Sequence, residues 1–172
     1  MKRLLSLLLA AFICLSPVPV AVFAEEAEAS AWDAVDEKYD VYQLVTAPKS
    51  GDILVLFNPG NGRMLSSADE GYYKAGTAPA VTGGTYLASD DDTVRWTVSI
   101  DETGIYHFTQ DEKTLGVEKS GSYVNLKTGG GETGFVVTPF APGGDLYRIR
   151  SATVETGYGF AYLEYYAGKN VF

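Results

Sequence analysis

Five aromatic or polar residues stand at alternate positions of two segments that have the composition of β-strands. They are Tyr123, Asn125, Tyr162, Glu164 and Tyr166. Successive side chains of a strand point to opposite faces, so when the apolar residues between these five face inward, the five face solvent. An exposed aromatic ring beside an amide or carboxylate is a common sugar site, because the ring covers the sugar's apolar face and the polar group bonds its hydroxyls. The spacing predicts a ligand-binding surface; the alternative is that tyrosines simply suit the edge strands of a β protein.

Metal and cofactor chemistry has little support in the sequence. His107 is the only histidine, and because Tyr106 and Phe108 are expected to face inward, it is predicted to point to solvent. One histidine cannot build a His-rich zinc site. Asp90-Asp91-Asp92 offers oxygen ligands for calcium but lacks the alternating spacing and distal Glu of a dedicated loop. We expect a solvated acidic turn there, no bound metal and no cofactor.

Catalytic motifs are also missing from the sequence. It contains no GxSxG elbow, phosphate-binding loop or HExxH helix. Glycoside hydrolysis needs two positioned carboxyl groups, and the 22 acidic residues are spread along the chain without singling out a pair. We expect a protein that is not an enzyme. Two alternatives stay open: a fragment or accessory domain of a secreted hydrolase, and a protease-inhibitor-like trefoil that presents the Gly60–Gly62 or Glu132–Gly134 loop.

The first 24 residues have the organisation of a signal peptide. Lys2 and Arg3 form a charged start, an apolar run follows, and Val22-Phe23-Ala24 ends with small residues where a signal peptidase cleaves. Cleavage after Ala24 predicts a secreted protein whose mature chain has no membrane span, because the apolar run is too short for one. It also removes Cys14, the only cysteine, so the mature chain would form no disulfide.

The charge balance limits the classes of partner. The whole chain carries a net charge of −9, and all 22 acidic residues follow Ala24. Nucleic acid and anionic membranes are recognised by clustered Lys and Arg, so neither is an expected partner. Acidity of this size is explained by solubility alone.

Two regions follow the predicted leader. Residues 25–38 are acidic and Ala-rich, and we expect a flexible leader segment there, or a short helix packed on the domain edge. Residues 39–172 are rich in Val, Ile, Thr, Tyr and Phe, in short runs bounded by turn residues such as Asn58-Pro59-Gly60-Asn61-Gly62. No segment keeps a 3.6-residue apolar period, so one all-β domain with little helix is predicted.

A sequence pattern of three successive strands recurs along this domain. Its first strand begins with an aromatic residue that we expect in the core: Tyr42, Trp96 and Phe135. Its second strand is Leu54-Val55-Leu56, Tyr106-His107-Phe108 and Tyr147-Arg148-Ile149. Its third strand is centred on leucine: Arg63-Met64-Leu65, Lys113-Thr114-Leu115 and Ala161-Tyr162-Leu163. Three units of roughly 40–50 residues predict a β-trefoil-like threefold repeat barrel; an irregular β-barrel or a sandwich is the alternative.

Three stretches carry a resemblance to a class of secreted modules. They are Tyr42-Gln43-Leu44-Val45-Thr46, Asn58-Pro59-Gly60-Asn61-Gly62 and Tyr162-Leu163-Glu164-Tyr165-Tyr166. In these the chain resembles β-rich accessory domains of secreted Gram-positive, clostridial-type multidomain proteins, which often stand next to phosphoesterase or nucleotidase domains. The resemblance implies a further strand beyond Phe172 and no catalytic residue in this chain. The function expected is a secreted, non-catalytic module that binds a glycan, a cell-surface polymer or a partner protein.

Overall fold

Short runs of β-branched and aromatic residues, most of them ended by a glycine, asparagine, aspartate or proline turn, form the described strands of this protein. The structure is a computed structural model that describes residues 20–25, 37–70 and 72–172, and of residues 24 and 25 it describes the backbone alone. These ranges contain fourteen strands and one short 3₁₀ turn, Asp92–Val94, and no α-helix. The prediction of an all-β protein with little helix is confirmed.

The strands are antiparallel throughout and have the following bounds: β1 Val20–Glu25, β2 Asp40–Leu44, β3 Ile53–Asn58, β4 Arg63–Glu70, β5 Tyr73–Thr77, β6 Val81–Gly83, β7 Tyr86–Ser89, β8 Trp96–Ile100, β9 Tyr106–Gln110, β10 Lys113–Ser120, β11 Tyr123–Thr128, β12 Phe135–Pro139, β13 Leu146–Thr156 and β14 Gly159–Tyr162.

Six strands close into a barrel. The hydrogen-bonded order is β1, β3, β8, β9, β12 and β13, and β13 pairs with β1 to complete the circle. The remaining strands extend from this barrel as the hairpin β4–β5, the hairpin β10–β11, the strand β14 beside β13, and the branch β2–β7–β6 beside β1. Closure gives each of the six barrel strands a hydrogen-bonded barrel neighbour on both sides, which reduces the number of unpaired backbone groups at sheet edges.

The second strand of each predicted repeat lies in the barrel. Leu56 is paired with Val22, Phe108 with Val98, and Ile149 with Val137. All six residues lie in barrel strands. The leucines predicted for the third strands, Leu65, Leu115 and Leu163, are buried in the same apolar cluster. The Trp96 indole N–H donates to the carbonyl of Leu65 at 3.0 Å, which ties the β4–β5 hairpin to β8.

The predicted first strands differ in their placement. Trp96 begins β8 and Phe135 begins β12, and both are buried in the barrel core. Tyr42 is also fully buried, but it lies in β2, outside the barrel, in a second cluster between β1, β3 and β7. β8 and β12 each pair with the second strand of their own repeat, β9 and β13. In the first repeat, the barrel strand that pairs with β3 is β1, residues Val20–Glu25, and not β2.

The predicted chain divisions fall partly outside the described residues. Residues 1–19 of the predicted signal peptide and 26–36 of the predicted leader segment are not described, whereas residues 20–25 form β1. The signal peptide, its cleavage after Ala24 and the leader segment stay predictions. Among the described residues, no helix has the length and apolar character to cross a membrane.

Candidate functional site

The strand β11 and the chain from the β13–β14 turn to residue 166 enclose a surface groove of about 560 Å³. We call it the tyrosine groove. Among the residues that line it are Asn125, Tyr158, Phe160, Tyr162, Glu164 and Tyr166. Its apolar floor comes from the barrel, where Phe135 and Leu163 are buried. The volume is within the range of small-molecule sites, which are typically concave and apolar with a few polar groups.

The aromatic wall of the groove depends on the β13–β14 hairpin. The ladder shifts register between Arg150 and Glu155, so the hairpin bends over the surface instead of continuing flat. In its turn, Gly159 has φ +111°, and the Thr156 hydroxyl both donates to the Gly159 carbonyl at 3.0 Å and accepts from the Tyr158 N–H at 3.1 Å. This turn holds Tyr158 outward with its side chain fully in solvent.

Side-chain alternation sets which residues of segment 162–166 and of β11 face the groove. Leu163 is buried, and Tyr165 packs against the same core and meets Phe172 edge-on at 5.1 Å between ring centroids. Tyr162 and Tyr166 therefore point out, with 38% and 58% of their surface exposed. On β11, Val124 and Leu126 pack against the core, and half-buried Asn125 lies between them.

The structure brings four of the five predicted site residues into one groove. Asn125, Tyr162, Glu164 and Tyr166 all line it, although Asn125 is separated from the others by more than thirty residues in sequence. Tyr123 is 74% exposed but does not line the groove. Whether any of these residues binds a ligand stays a prediction.

Two groove residues were not predicted from the sequence. Tyr158 stands in the turn Gly157-Tyr158-Gly159, where strand alternation gives no information on its direction. An aromatic residue flanked by two glycines is a signal for an exposed ring at a turn, and this signal could have found it. Phe160 is the second residue of β14, and the Arg150 guanidinium lies 3.9 Å from its ring centroid. This cation–π contact holds the ring at the groove.

Glu164 supplies the carboxyl group of the groove. The residue as a whole is solvent-exposed, but the surrounding walls remove part of the water from its carboxyl group, and this desolvation raises the pKa of Glu164 above its usual value of 4.5. A carboxyl group on the same groove as Tyr162 and Tyr166 can accept hydrogen bonds from hydroxyls when ionised and donate one when protonated.

A smaller depression adjoins the tyrosine groove. It has a volume of about 420 Å³ and is lined by Glu70, Tyr72, Tyr73, Lys169 and Val171. Tyr73 lines both concavities, and the Lys169 ammonium lies 5.0 Å above its ring centroid. The two concavities together make an extended surface with aromatic rings and both signs of charge.

Outside the groove, the sequence candidates have structural partners. Asp91 accepts hydrogen bonds from the Thr93 N–H at 2.9 Å and the Thr93 hydroxyl at 2.6 Å, so it caps the 3₁₀ turn. His107 is half-buried, and its Nε2 lies 3.8 Å from an Asp101 carboxylate oxygen. Within residues 20–25, 37–70 and 72–172, no three His, Cys, Asp or Glu side chains are grouped so that they could hold a metal ion.

Comparison with known proteins gives no relative: no protein-family model, no curated protein and no solved structure matches the chain. The resemblance to secreted accessory domains therefore stays a prediction.

Proposed function

We propose that the chain is an exported, non-catalytic binding module and that the tyrosine groove takes a glycan of a cell-surface polymer. The observation that carries the proposal is the convergence of Tyr162 and Tyr166 with Asn125 and Glu164 on one groove of about 560 Å³. Tyrosine rings offer flat apolar surfaces for the C–H faces of sugar rings, and the amide and carboxyl groups match sugar hydroxyls.

The proposal includes a β-trefoil-like arrangement. The six-stranded barrel with the hairpins β4–β5 and β10–β11 and the β14 segment supports it, since each of these follows a barrel strand and carries one of Leu65, Leu115 and Leu163 into the core. A shallow groove between two such appendages, here β10–β11 and β14, is the surface that we assign to the ligand.

The test is direct binding. The purified protein is screened against cell-wall polymers and soluble glycans, and any binder is titrated by calorimetry. Tyr162→Ala and Tyr166→Ala are each expected to weaken binding by at least about tenfold, which corresponds to about 1.4 kcal/mol.

The chain offers a matched control in Tyr123→Ala. Tyr123 is also an exposed tyrosine on a neighbouring strand, but it does not line the groove, so this variant should bind as the wild type does. Circular dichroism checks that all three variants keep the β spectrum. If all three variants lose glycan affinity equally, or if Tyr162→Ala and Tyr166→Ala lose none, the glycan does not bind in the tyrosine groove. A folded protein that binds no glycan would overturn the proposal in favour of a protein partner.

One observation favours a second function, hydrolysis of the bound glycan. A carboxyl group with a raised pKa is what a general acid requires, and Glu164 has one at the groove wall. Turnover of a bound glycan that is lost in Glu164→Gln, with binding retained, would establish the enzymatic function; binding without turnover would establish the module.

A further inference from the structure

The strand β1 completes the barrel from both of its edges. On one edge, Ala21, Val22, Phe23 and Ala24 pair with Phe57, Leu56, Val55 and Leu54 of β3. On the other edge, its first residues pair with Tyr147 and Leu146 of β13, and its last residues pair with β2. The β1 backbone is thus enclosed by three strands, and without it β3 and β13 would each have an open edge.

Both faces of β1 are buried as well. Val20 and Val22 point into the barrel core, where each has 1% of its surface exposed. Ala21 and Phe23 point to the second cluster, and the Phe23 ring meets Phe57 edge-on at 5.9 Å between centroids. The alternation is that of a strand covered on both sides, with aliphatic residues inward and a small and an aromatic residue outward.

This strand coincides with the end of the predicted signal peptide. Cleavage after Ala24 would remove every described β1 side chain, including Val20, Val22 and Phe23, from the barrel. The chain that remains would have a slot bounded by Leu54–Phe57 on one edge and by Leu146 and Tyr147 on the other, with two apolar clusters exposed along it. Open strand edges beside apolar surface are a template for pairing with another chain.

We propose that this slot is a strand-acceptor site, and that in the processed chain an extended apolar strand of a second polypeptide occupies the position of Val20–Glu25. The inference rests on the proposed export of the chain. The chemistry of the occupant follows from the residues now seated there: aliphatic side chains at the two barrel-facing positions, a small residue between them, and an aromatic residue that meets Phe57. The strand runs antiparallel to both β3 and β13.

The experiment starts from the full gene, expressed in a host that exports and processes proteins. The intact mass of the released protein identifies its first residue. The released protein is then titrated with a fluorescently labelled synthetic peptide of residues 18–25, followed by anisotropy, circular dichroism and thermal unfolding. The matched control is the same peptide carrying Val22→Asp, which would place a carboxylate in the barrel core.

We expect a chain that begins at Glu25, saturable binding of the wild-type peptide, and a gain of β signal on binding. A tight binder at about 100 times its Kd should raise the melting temperature by roughly 5–10 °C. The Val22→Asp peptide should bind at least about 100-fold more weakly. A released chain that retains residues 20–25, a peptide that does not bind, or equal binding of the two peptides would each overturn the proposal.

The outcome is separable from that of the glycan proposal. Tyr162 lies in the tyrosine groove and not at the slot, so Tyr162→Ala should lose glycan binding and keep peptide binding. Peptide binding that fails while glycan binding persists overturns the acceptor site alone. The reverse result overturns the groove alone.

Discussion

The ammonium group of Lys74 donates a hydrogen bond to the Asp69 carboxylate at 2.6 Å, while Lys74 itself is fully buried. Two further hydrogen bonds, to the Ser67 carbonyl and the Thr128 hydroxyl, both at 2.8 Å, use its remaining donors. Lys74 therefore joins the β4–β5 hairpin to β11, which carries Asn125 of the groove. A buried cation persists only when it is paired and fully hydrogen-bonded, and this one is.

Replacing Lys74 should destabilise the protein more than replacing its charged partner. Lys74→Ala leaves a cavity and two half-buried acceptors without their donor, and should cost about 2–4 kcal/mol of unfolding free energy. The Asp69 side chain is 72% exposed, so water can replace it, and Asp69→Asn should cost about 0.5–1 kcal/mol. Urea unfolding measures both. Equal costs would show that the ion pair, rather than the hydrogen bonds to Ser67 and Thr128, dominates.

Gly116 should not tolerate a side chain. A Cβ at this position in β10 would lie 2.0 Å from the Gly130 carbonyl oxygen, a backbone atom that cannot move aside without shifting the β11–β12 loop. Gly116→Ala should therefore cost more than about 2 kcal/mol of unfolding free energy. Gly157→Ala is the matched control, because a Cβ there has no neighbour within 4 Å, and it should change stability by less than about 0.5 kcal/mol. Similar urea midpoints for the two variants would disprove the close approach of β10 to this loop.

Glu164 should make stability fall as the pH rises. Desolvation holds its folded pKa above the usual 4.5, so the folded state keeps a proton that the unfolded state has released, and stability decreases through the window above pH 4.5. Glu164→Gln removes this penalty. The variant should melt at a higher temperature than the wild type at pH 7, and the difference should vanish below about pH 4. A difference that is the same at both pH values would exclude titration of Glu164 as its cause.

Asp101 should have the opposite effect on the pH dependence of stability: its contribution to stability should be lost as the pH falls. Its carboxylate accepts from the Thr103 hydroxyl at 2.7 Å and from the N–H groups of Ile105 and Thr103 at 3.0 Å and 2.8 Å. These hydrogen bonds hold the pKa of Asp101 below its usual 3.8, and the bond from the Thr103 hydroxyl has the largest effect. The turn between β8 and β9 is thus stabilised above pH 3.8, and this contribution is lost as the pH falls through the folded pKa.

Asp101→Asn tests this turn, because all three hydrogen bonds go to one Oδ1 atom and a neutral amide oxygen accepts them more weakly than a carboxylate does. The variant should unfold at lower urea than the wild type at pH 7, and the two should converge as the pH falls well below 3.8. Denaturant midpoints measured from pH 7 down through this range give the result, and a gap that does not narrow would contradict it.

Local sequence was sufficient where the physical cause is local. Turn residues predicted the β3–β4 connection, where the Asn58 side chain accepts from the Asn61 N–H at 3.0 Å and Gly62 takes φ +62°. Strand alternation predicted the directions of Leu163 and Tyr162, since the period of two is a property of the backbone alone. The same alternation gives no direction for Tyr158, because its direction depends on the hydrogen bonds of a turn.

Pairing between distant segments could not be predicted in this way. Nothing in the residues around Lys74 indicates burial, and one of the three hydrogen-bond partners of its ammonium group, Thr128, lies 54 residues later. Tyr42 matched Trp96 by sequence spacing, yet β2 lies outside the barrel because β1 pairs with β3 in its place. Spacing along the chain does not determine which of two apolar strands takes a given edge.

The sequence by itself determined that this is an all-β chain, where its turns fall, and which faces of its strands carry exposed tyrosines, because these follow from backbone periodicity and turn chemistry. Only the tertiary structure decided that six strands close a barrel, that Asn125 lines the same groove as Tyr162, Glu164 and Tyr166, and that Val20–Glu25 is enclosed between β3 and β13. The reason is physical: closing a sheet on itself satisfies all strand edges at once, and that condition belongs to the whole chain and not to any segment of it.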